Sequence, residues 1–326
     1  MKVTIPDTLK TDLPPNLWGK ILQSTPIVMA VVATMLAGLA SSEMTRAQYN
    51  RTLAAQKQSK AGDQWGLFQA KRLRGALQWA TLDLLEATTE VHRLEPAALA
   101  RAAAPPPAAA VGDEVAKLRD AQRGSLESPA GQRAADCFCR GVLPDVPPPA
   151  AIDSKVAAAL SAIAARRGGP EIAGLVGAVP SLVLDDALRA ADNDAAAFDA
   201  AIKPVTQLVD LLEDLLVRRR AGQSESLARD FAAARLRFHA LRYEAEARYN
   251  QAIANLIELE IQKTNLASER HQARSQRFFL GMLVAQFAVI CATFAIAARK
   301  RNLLWSLAAA AGLIAITASG YVYFSF

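Results

Sequence analysis

Apolar positions in this chain fall into two different rhythms. Three stretches run without a single charge: Ile21 to Ser42, 22 residues; Phe278 to Ala298, 21 residues; and Leu303 to Phe326, 24 residues. At about 1.5 Å per helical residue each is long enough to cross about 30 Å of hydrocarbon. Between the first two, apolar residues recur every three or four positions among charged ones, the spacing of helices with one buried face.

Two segments carry that second rhythm most clearly. Glu43 to Glu95 contains no proline, only Gly62, Gly66 and Gly75 interrupt it, and Pro96 follows it; the pattern predicts a helix continuing out of the first apolar stretch. Glu225 to Arg277 lacks both Pro and Gly and leads straight into the second stretch. Each arm is 53 residues, about 80 Å of helix, and equal lengths predict an antiparallel pair. On the first arm Trp65, Phe68, Gly75, Trp79 and Leu82 share a face, with Arg72 in the row. On the second, Leu227, Phe231, Ala234, Phe238, Leu241, Ala245, Ala252, Leu259 and Leu266 do, broken by Arg248, Asn255 and Gln262. Polar residues in such a row specify register in a coiled coil. Folding the arms back in register places Trp79 beside Leu241 and Leu82 beside Phe238.

The predicted architecture is an all-α integral membrane protein. It has a tail at residues 1–20, spans at 21–42, 278–298 and 303–326, a stalk of two arms at 43–95 and 224–277, and an Ala/Pro-rich head at 96–223. The first span could be read as a signal peptide, but its apolar run exceeds the usual length and begins some twenty residues in, so it is read as an anchor. Arg299, Lys300, Arg301 and Asn302 form the turn between the last two spans. Within the head lie the tract RAAAPPPAAAVGDE, the run PDVPPPA, and helical patterns at Ile152 to Arg167, Ser181 to Ala191 and Ala195 to Arg220, with Pro204 a start or kink in the last. Asp192 and Asn193 are read as caps of that last helix.

Composition narrows the chemistry. A net charge of +6 and pI near 9.3 could suggest nucleic acid, but the basic groups interleave with 31 acidic ones along helices and form no patch with aromatics between them. Three cysteines make no disulfide framework, and Cys137 and Cys139 in DCFC lack further zinc ligands. His92, His239 and His271 do not converge on the antiparallel arrangement. No phosphate-binding loop, zinc-protease motif or nucleophile elbow occurs. No catalytic, cofactor-binding or metal-binding residue is therefore assigned, no cofactor or small-molecule substrate is expected, and the chain is read as no enzyme.

Asp63, Gln64, Trp65, then Phe68, Gln69, Ala70 and Lys71, shortly after a first span ending in small residues, resemble an uncharacterised bacterial membrane family, the domain of unknown function numbered forty-three thirty-seven. The C-terminal part is similar to it too: a charged helix with Tyr243 and Glu244 enters a second span, a basic turn with Trp305 follows, and a third span ends the chain. The resemblance covers roughly Pro26 to Arg93 and Tyr243 to Phe326; it implies architecture and no activity. The region from Glu95 to Gly222 reads as a long insertion.

Candidate interaction and packing residues follow: Asp63, Gln64, Trp65, Phe68, Gln69, Lys71, Trp79, Phe238 and Leu241 along the arms, with Trp65 as the anchor. Gln286, Ala288, Ala292, Ala311, Ala315 and Ser319 are the packing residues of the spans, by small residues at four-residue spacing and polar groups among apolar ones. No charged residue lies within a span, which disfavours an ion pathway. The expected role is a membrane-anchored scaffold or adaptor, oligomeric or part of a larger membrane complex, in contact with lipid and not with nucleic acid. The alternative is a channel or transport-associated subunit gated by the stalk. Short loops orient spans more strongly than long domains, so the Arg299 to Arg301 turn and the N-terminus are expected in the cytoplasm of a bacterial inner membrane, with stalk and head outside it.

Overall fold

The computed structural model describes residues 17–97, 99, 124, 128–146, 148–218, 225–297 and 301–325. The tail ahead of residue 17, the tract at 101–114 and Arg299 and Lys300 of the expected turn lie outside them. Among the described residues the ordered elements are all helices, in the order α1 (Leu17–Thr88), α2 (Pro129–Arg140), α3 (Ser154–Ala164), α4 (Gly169–Ala178), α5 (Ser181–Arg218), α6 (Glu225–Ala297) and α7 (Arg301–Ser325). They belong to two compact units, one of residues up to Gln56 and from Gln262 onward, the other Lys57–Ile261.

In the first unit alanines make up most of the interior while many large apolar side chains face outward. Ala33, Ala40, Ala285, Ala288, Ala311 and Ala315 are buried together with Met29, Leu36 and Phe278. Cys291, Ala292, Ala295 and Ala308 enclose Trp305. Ile27, Val31, Met35, Phe287, Ile290, Phe294, Leu313 and Ile316 face outward on the same helices. Water would penalise that arrangement, because it exposes the larger apolar groups; lipid does not, and helices that meet through alanine approach closely. Among the described residues three helices are long and apolar enough to cross a membrane: the first stretch within α1, the second within α6, and α7.

The second unit has a conventional interior. Phe138 of α2 packs against Phe231 and Phe238 of α6, with ring centroids 5.6 and 6.0 Å apart. Phe198, Ile202, Val205, Val209 and Leu212 of α5 complete that core, and Leu94 and Leu99 enter it from the segment after α1. A second cluster joins Val156 and Ala159 of α3, Val176 of α4 and Leu184 of α5 to Leu256 and Leu259 of α6. Local signals set the ends: the Ser128 hydroxyl accepts from the Gly131 amide at 3.0 Å, and the Asp153 carboxylate from the Lys155 amide at 2.8 Å. Gly141 ends α2 at φ 67°, ψ 40°, where a side chain is disfavoured.

Four expectations change. The first arm stops at Thr88, short of Pro96. The hydroxyls of Thr88 and Thr89 donate to the carbonyls of Leu84 and Leu85 at 2.8 and 2.7 Å, and the amide of His92 donates to Asp230 at 2.9 Å, so the chain leaves the helix and delivers Leu94 to the core. The patterns Ser181 to Ala191 and Ala195 to Arg220 are one helix, α5, with Pro204 inside it. Asp192 and Asn193 are consequently interior helix positions and not caps; the neighbouring Asp194 instead accepts from the Ala150 amide at 3.1 Å. Finally, α2 and α4 arise where no helix was expected, their Pro residues standing in the first turn, where the missing N–H costs nothing.

Candidate functional site

The most chemically structured surface is the one α1 and α6 share. Within the second unit the indole N–H of Trp65 donates to Glu258 at 2.8 Å and that of Trp79 to Glu244 at 2.7 Å. Lys57 pairs with Glu260 and Lys71 with Glu246, and Arg237 donates to Glu86 at 2.7 Å. Partner numbers fall on α6 as they rise on α1, so the helices run oppositely there. Within the first unit, Ser275 and Ser268 donate to the carbonyls of Ala40 and Ala47 at 2.7 and 2.8 Å, and His271 meets Glu43 at 2.6 Å.

Glu246 is the most enclosed charged partner, its side chain 7% exposed. Besides Lys71 it receives Arg242 at 2.6 Å, and Arg242 also reaches the Thr206 hydroxyl of α5 at 3.4 Å. The Lys71 ammonium sits 5.4 Å from the centre of the Tyr243 ring. A buried carboxylate persists only when paired and hydrogen-bonded, and two cations on two helices meet that requirement. This junction ties α1, α5 and α6 together.

The expected interaction residues divide accordingly. Trp65 and Phe68 are half-buried and meet edge to face at 5.4 Å. Lys71 and Trp79 face α6 through the pairs above, and Phe238 and Leu82 are fully buried. Trp79 reaches Glu244, one turn beyond Leu241, because its indole N–H takes an acceptor; Leu241 is half-buried. Asp63 and Gln69 are exposed and Gln64 is half-buried, its Oε1 enclosed without a partner. In the spans Ala288, Ala292, Ala311 and Ala315 are buried, and Ser319 donates to the Ala315 carbonyl at 2.6 Å. Gln286 is corrected: it is exposed beside Phe287, since one step along a helix from the Ala285 and Ala288 row turns a side chain away from it. Glu244, Glu246 and Glu258 were missed. Their signal was an acidic residue on the second arm opposite Trp65, Lys71 and Trp79 of the first.

Reactive groups are muted. Burial, then Asp136, pushes the Cys139 thiol up to about 11 against the opposing pull of Arg93, and burial likewise raises that of Cys137, so neither is an activated thiolate. Burial, helped by Arg242 and Arg235 against Asp210 and Glu213, lowers the pKa of His239. Among the described residues no three His, Cys, Asp or Glu side chains are placed to hold a metal ion. A groove of about 360 Å³ between α6 and α7 is lined by Leu280, Gly281, Val284, Ile314 and Ala318, with Arg277 and Tyr321 beside it; its walls suit hydrocarbon.

The chain matches no curated protein and no solved structure. The segment Tyr243 to Phe326, likened above to the same family as the first arm, lies outside the matched range, whereas part of the expected insertion, up to Ser128, lies inside it. Residues 18–128, which hold the first apolar stretch and the Asp63 to Lys71 element, match the model of a domain of unknown function, DUF4337.

Proposed function

We propose that this protein is a membrane-anchored scaffold or adaptor with no chemistry of its own. Its three apolar helices sit in the cell membrane, α1 and α6 leave it as an antiparallel stalk resembling a coiled coil, and the smaller helices form a head that meets a partner. It works as a homo-oligomer or as a subunit of a larger membrane complex. The turn at Arg299 to Arg301 lies in the cytoplasm and the stalk outside it.

The observation that carries this reading is the alanine-rich interior of the first unit, with most of its Phe, Ile and Leu side chains outside. The ladder of Trp, Lys and Glu pairs supports a stiff stalk, since each pair is consumed between helices and none is arranged around a substrate-sized polar cavity. Purification of the native complex in mild detergent, with its mass and co-purifying chains determined, tests the proposal. A multimer or a stable heteromeric complex is expected; a lone monomer would sink the scaffold role. Ion-selective conductance after reconstitution, abolished by Gln286→Leu, would replace it with a channel.

A further inference from the structure

Helix α1 has a second apolar face that none of the described residues covers. Gly75 and Leu82 are buried toward α6, and Lys71, Trp79 and Glu86 reach it through their pairs. On the opposite side Ala70, Leu73, Leu77, Ala80, Leu84 and Ala87 are all exposed. The three leucines are 63%, 57% and 64% accessible, though the segment lies in the unit whose other large apolar groups are mostly enclosed. Their spacing alternates three and four without a break, which is the a and d pattern of a coiled-coil seam. The residues facing α6 then fall at the b, c and f positions, so the two faces do not compete.

We infer that this seam pairs with the same seam of a second copy, parallel and in register, in the same bilayer; the inference rests on the membrane-anchored reading above. Three observations select that occupant. First, α1 continues unbroken from its apolar stretch into the seam, so copies inserted alike present it side by side in the same direction. Second, in-register pairing sets Leu on Leu and Ala on Ala. It sets Arg74 opposite the partner's Gln69, Thr81 opposite the partner's Ala76 and Thr88 opposite the partner's Asp83, so no like charges meet along either flank. Third, the area is small. A stripe of 18 residues is roughly 27 Å long and about 10 Å wide, roughly 270 Å², against about 800 Å² per partner in a stable interface between free proteins. A freely diffusing protein is not held by it. A copy confined to the same membrane is, because confinement raises the effective concentration to the millimolar order.

The test is disulfide crosslinking of the full chain in native membranes. Cys137, Cys139 and Cys291 are replaced by Ala, and single cysteines are placed at Leu73, Leu77, Ala80 and Leu84, with Arg72→Cys as an exposed control off the seam. Oxidation is expected to give homodimer at the seam positions at least about tenfold above the control, and adding Leu77→Lys is expected to abolish the crosslink formed by Leu84→Cys. Equal crosslinking at Arg72→Cys, no dimer at any seam position, or a crosslink to a different protein overturns the inference. Alkaline carbonate extraction of the same membranes separates the two readings: release of the chain overturns the anchored scaffold, whereas a retained chain without seam crosslinks overturns the pairing alone.

Discussion

Trp79 of α1 and Glu244 of α6 are joined by an indole N–H to carboxylate hydrogen bond of 2.7 Å. The same relation recurs at Trp65 and Glu258, so both tryptophans of this surface have an apolar body against the helix pair and a polar tip satisfied by an acid. Trp is suited to that position because it covers a large area with few rotors and still carries a donor.

Replacing Trp79 by Phe keeps most of the covered area and removes the donor. Loss of one hydrogen bond to a charged group at a partly exposed site is expected to cost about 1 kcal/mol, and Trp79→Ala about 2–4 kcal/mol. Thermal unfolding followed by circular dichroism in detergent reads both. Equal stability of the Phe and Ala variants would show that the hydrogen bond, and not the ring, is what matters.

Glu246 should be the more sensitive member of the ladder. Truncation to Ala leaves Lys71 and Arg242 beside each other with no acid between them, each side chain only 23% exposed, and breaking a buried pair in this way costs about 3–5 kcal/mol. Combining Glu246→Leu with Lys71→Met and Arg242→Leu is expected to recover most of the loss, because it removes the orphaned charges together. A triple variant no more stable than Glu246→Ala would mean that the carboxylate acts through something other than charge pairing.

These relationships were only partly readable from the residues. Uncharged length sufficed to locate the apolar helices, which are long and apolar enough to cross a membrane and turn Phe287 and Phe294 outward. The run of α6 from Glu225 to Arg277 followed from an absence of Pro and Gly there. Register was legible as well, since Lys71 with Glu246 and Trp79 with Glu244 bracket the in-register placement of the arms; helix ends were harder. Nothing local distinguishes Thr88 and Thr89 from interior helix residues until Leu94 has a core to enter. The acceptor of the Trp79 indole, Glu244, lies one turn along α6 from Leu241 and was not singled out by apolar spacing. Pro204 starts no helix: α5 runs through it, with Ile202, Val205 and Val209 on either side buried in one core. Gln286 shows the reverse error, a polar residue assigned to packing because it was conspicuous.

Two glycines are predicted to respond oppositely to alanine. A Cβ at Gly75 would lie 3.5 Å from both the Ala240 carbonyl and the Tyr243 Cβ, ordinary contact distances, so Gly75→Ala is expected to stabilise by up to about 1 kcal/mol through helix propensity. A Cβ at Gly141 would meet Arg237 Cδ at 2.9 Å with φ at +67°, and Gly141→Ala is expected to cost about 1–2 kcal/mol. Denaturant midpoints of the two variants against the parent check the signs.

His239 is predicted to weaken the fold in mild acid. Its ordinary pKa is 6.5, and burial, then Arg242 and Arg235, hold the folded value below that, only partly opposed by Asp210 and Glu213. Between those two values the unfolded chain binds the extra proton and the folded chain does not, so stability falls as pH drops below 6.5. Its Nδ1 is also buried without a partner. His239→Phe places a ring of similar size beside Phe238 and Tyr243, whose centroids lie 5.5 and 6.0 Å from the imidazole. The variant's loss of stability between pH 7 and pH 5 is expected to be smaller than the parent's. Parallel pH profiles would remove His239 as the cause.

Among the described glycines of the apolar helices, Gly281 leaves the least room for a side chain. A Cβ there would stand 2.8 Å from the Ser319 Oγ and 3.5 Å from Leu36 Cδ1, so Gly281→Ala forces the serine out of its hydrogen bond to the Ala315 carbonyl or pushes α6 and α7 apart. Overpacking of this kind costs about 1–3 kcal/mol. Shortening the opposing residue should relieve it: Gly281→Ala with Ser319→Ala is expected to regain most of the loss, measured as the temperature at which the detergent-solubilised protein loses helicity. At Gly312 the obstructing atoms belong to Met29, with Sδ at 2.9 Å, and a thioether chain can turn aside. Gly312→Ala should therefore cost less than Gly281→Ala. The reverse order, or a Ser319→Ala background that gives no rescue, would show that α6 and α7 do not meet through this glycine.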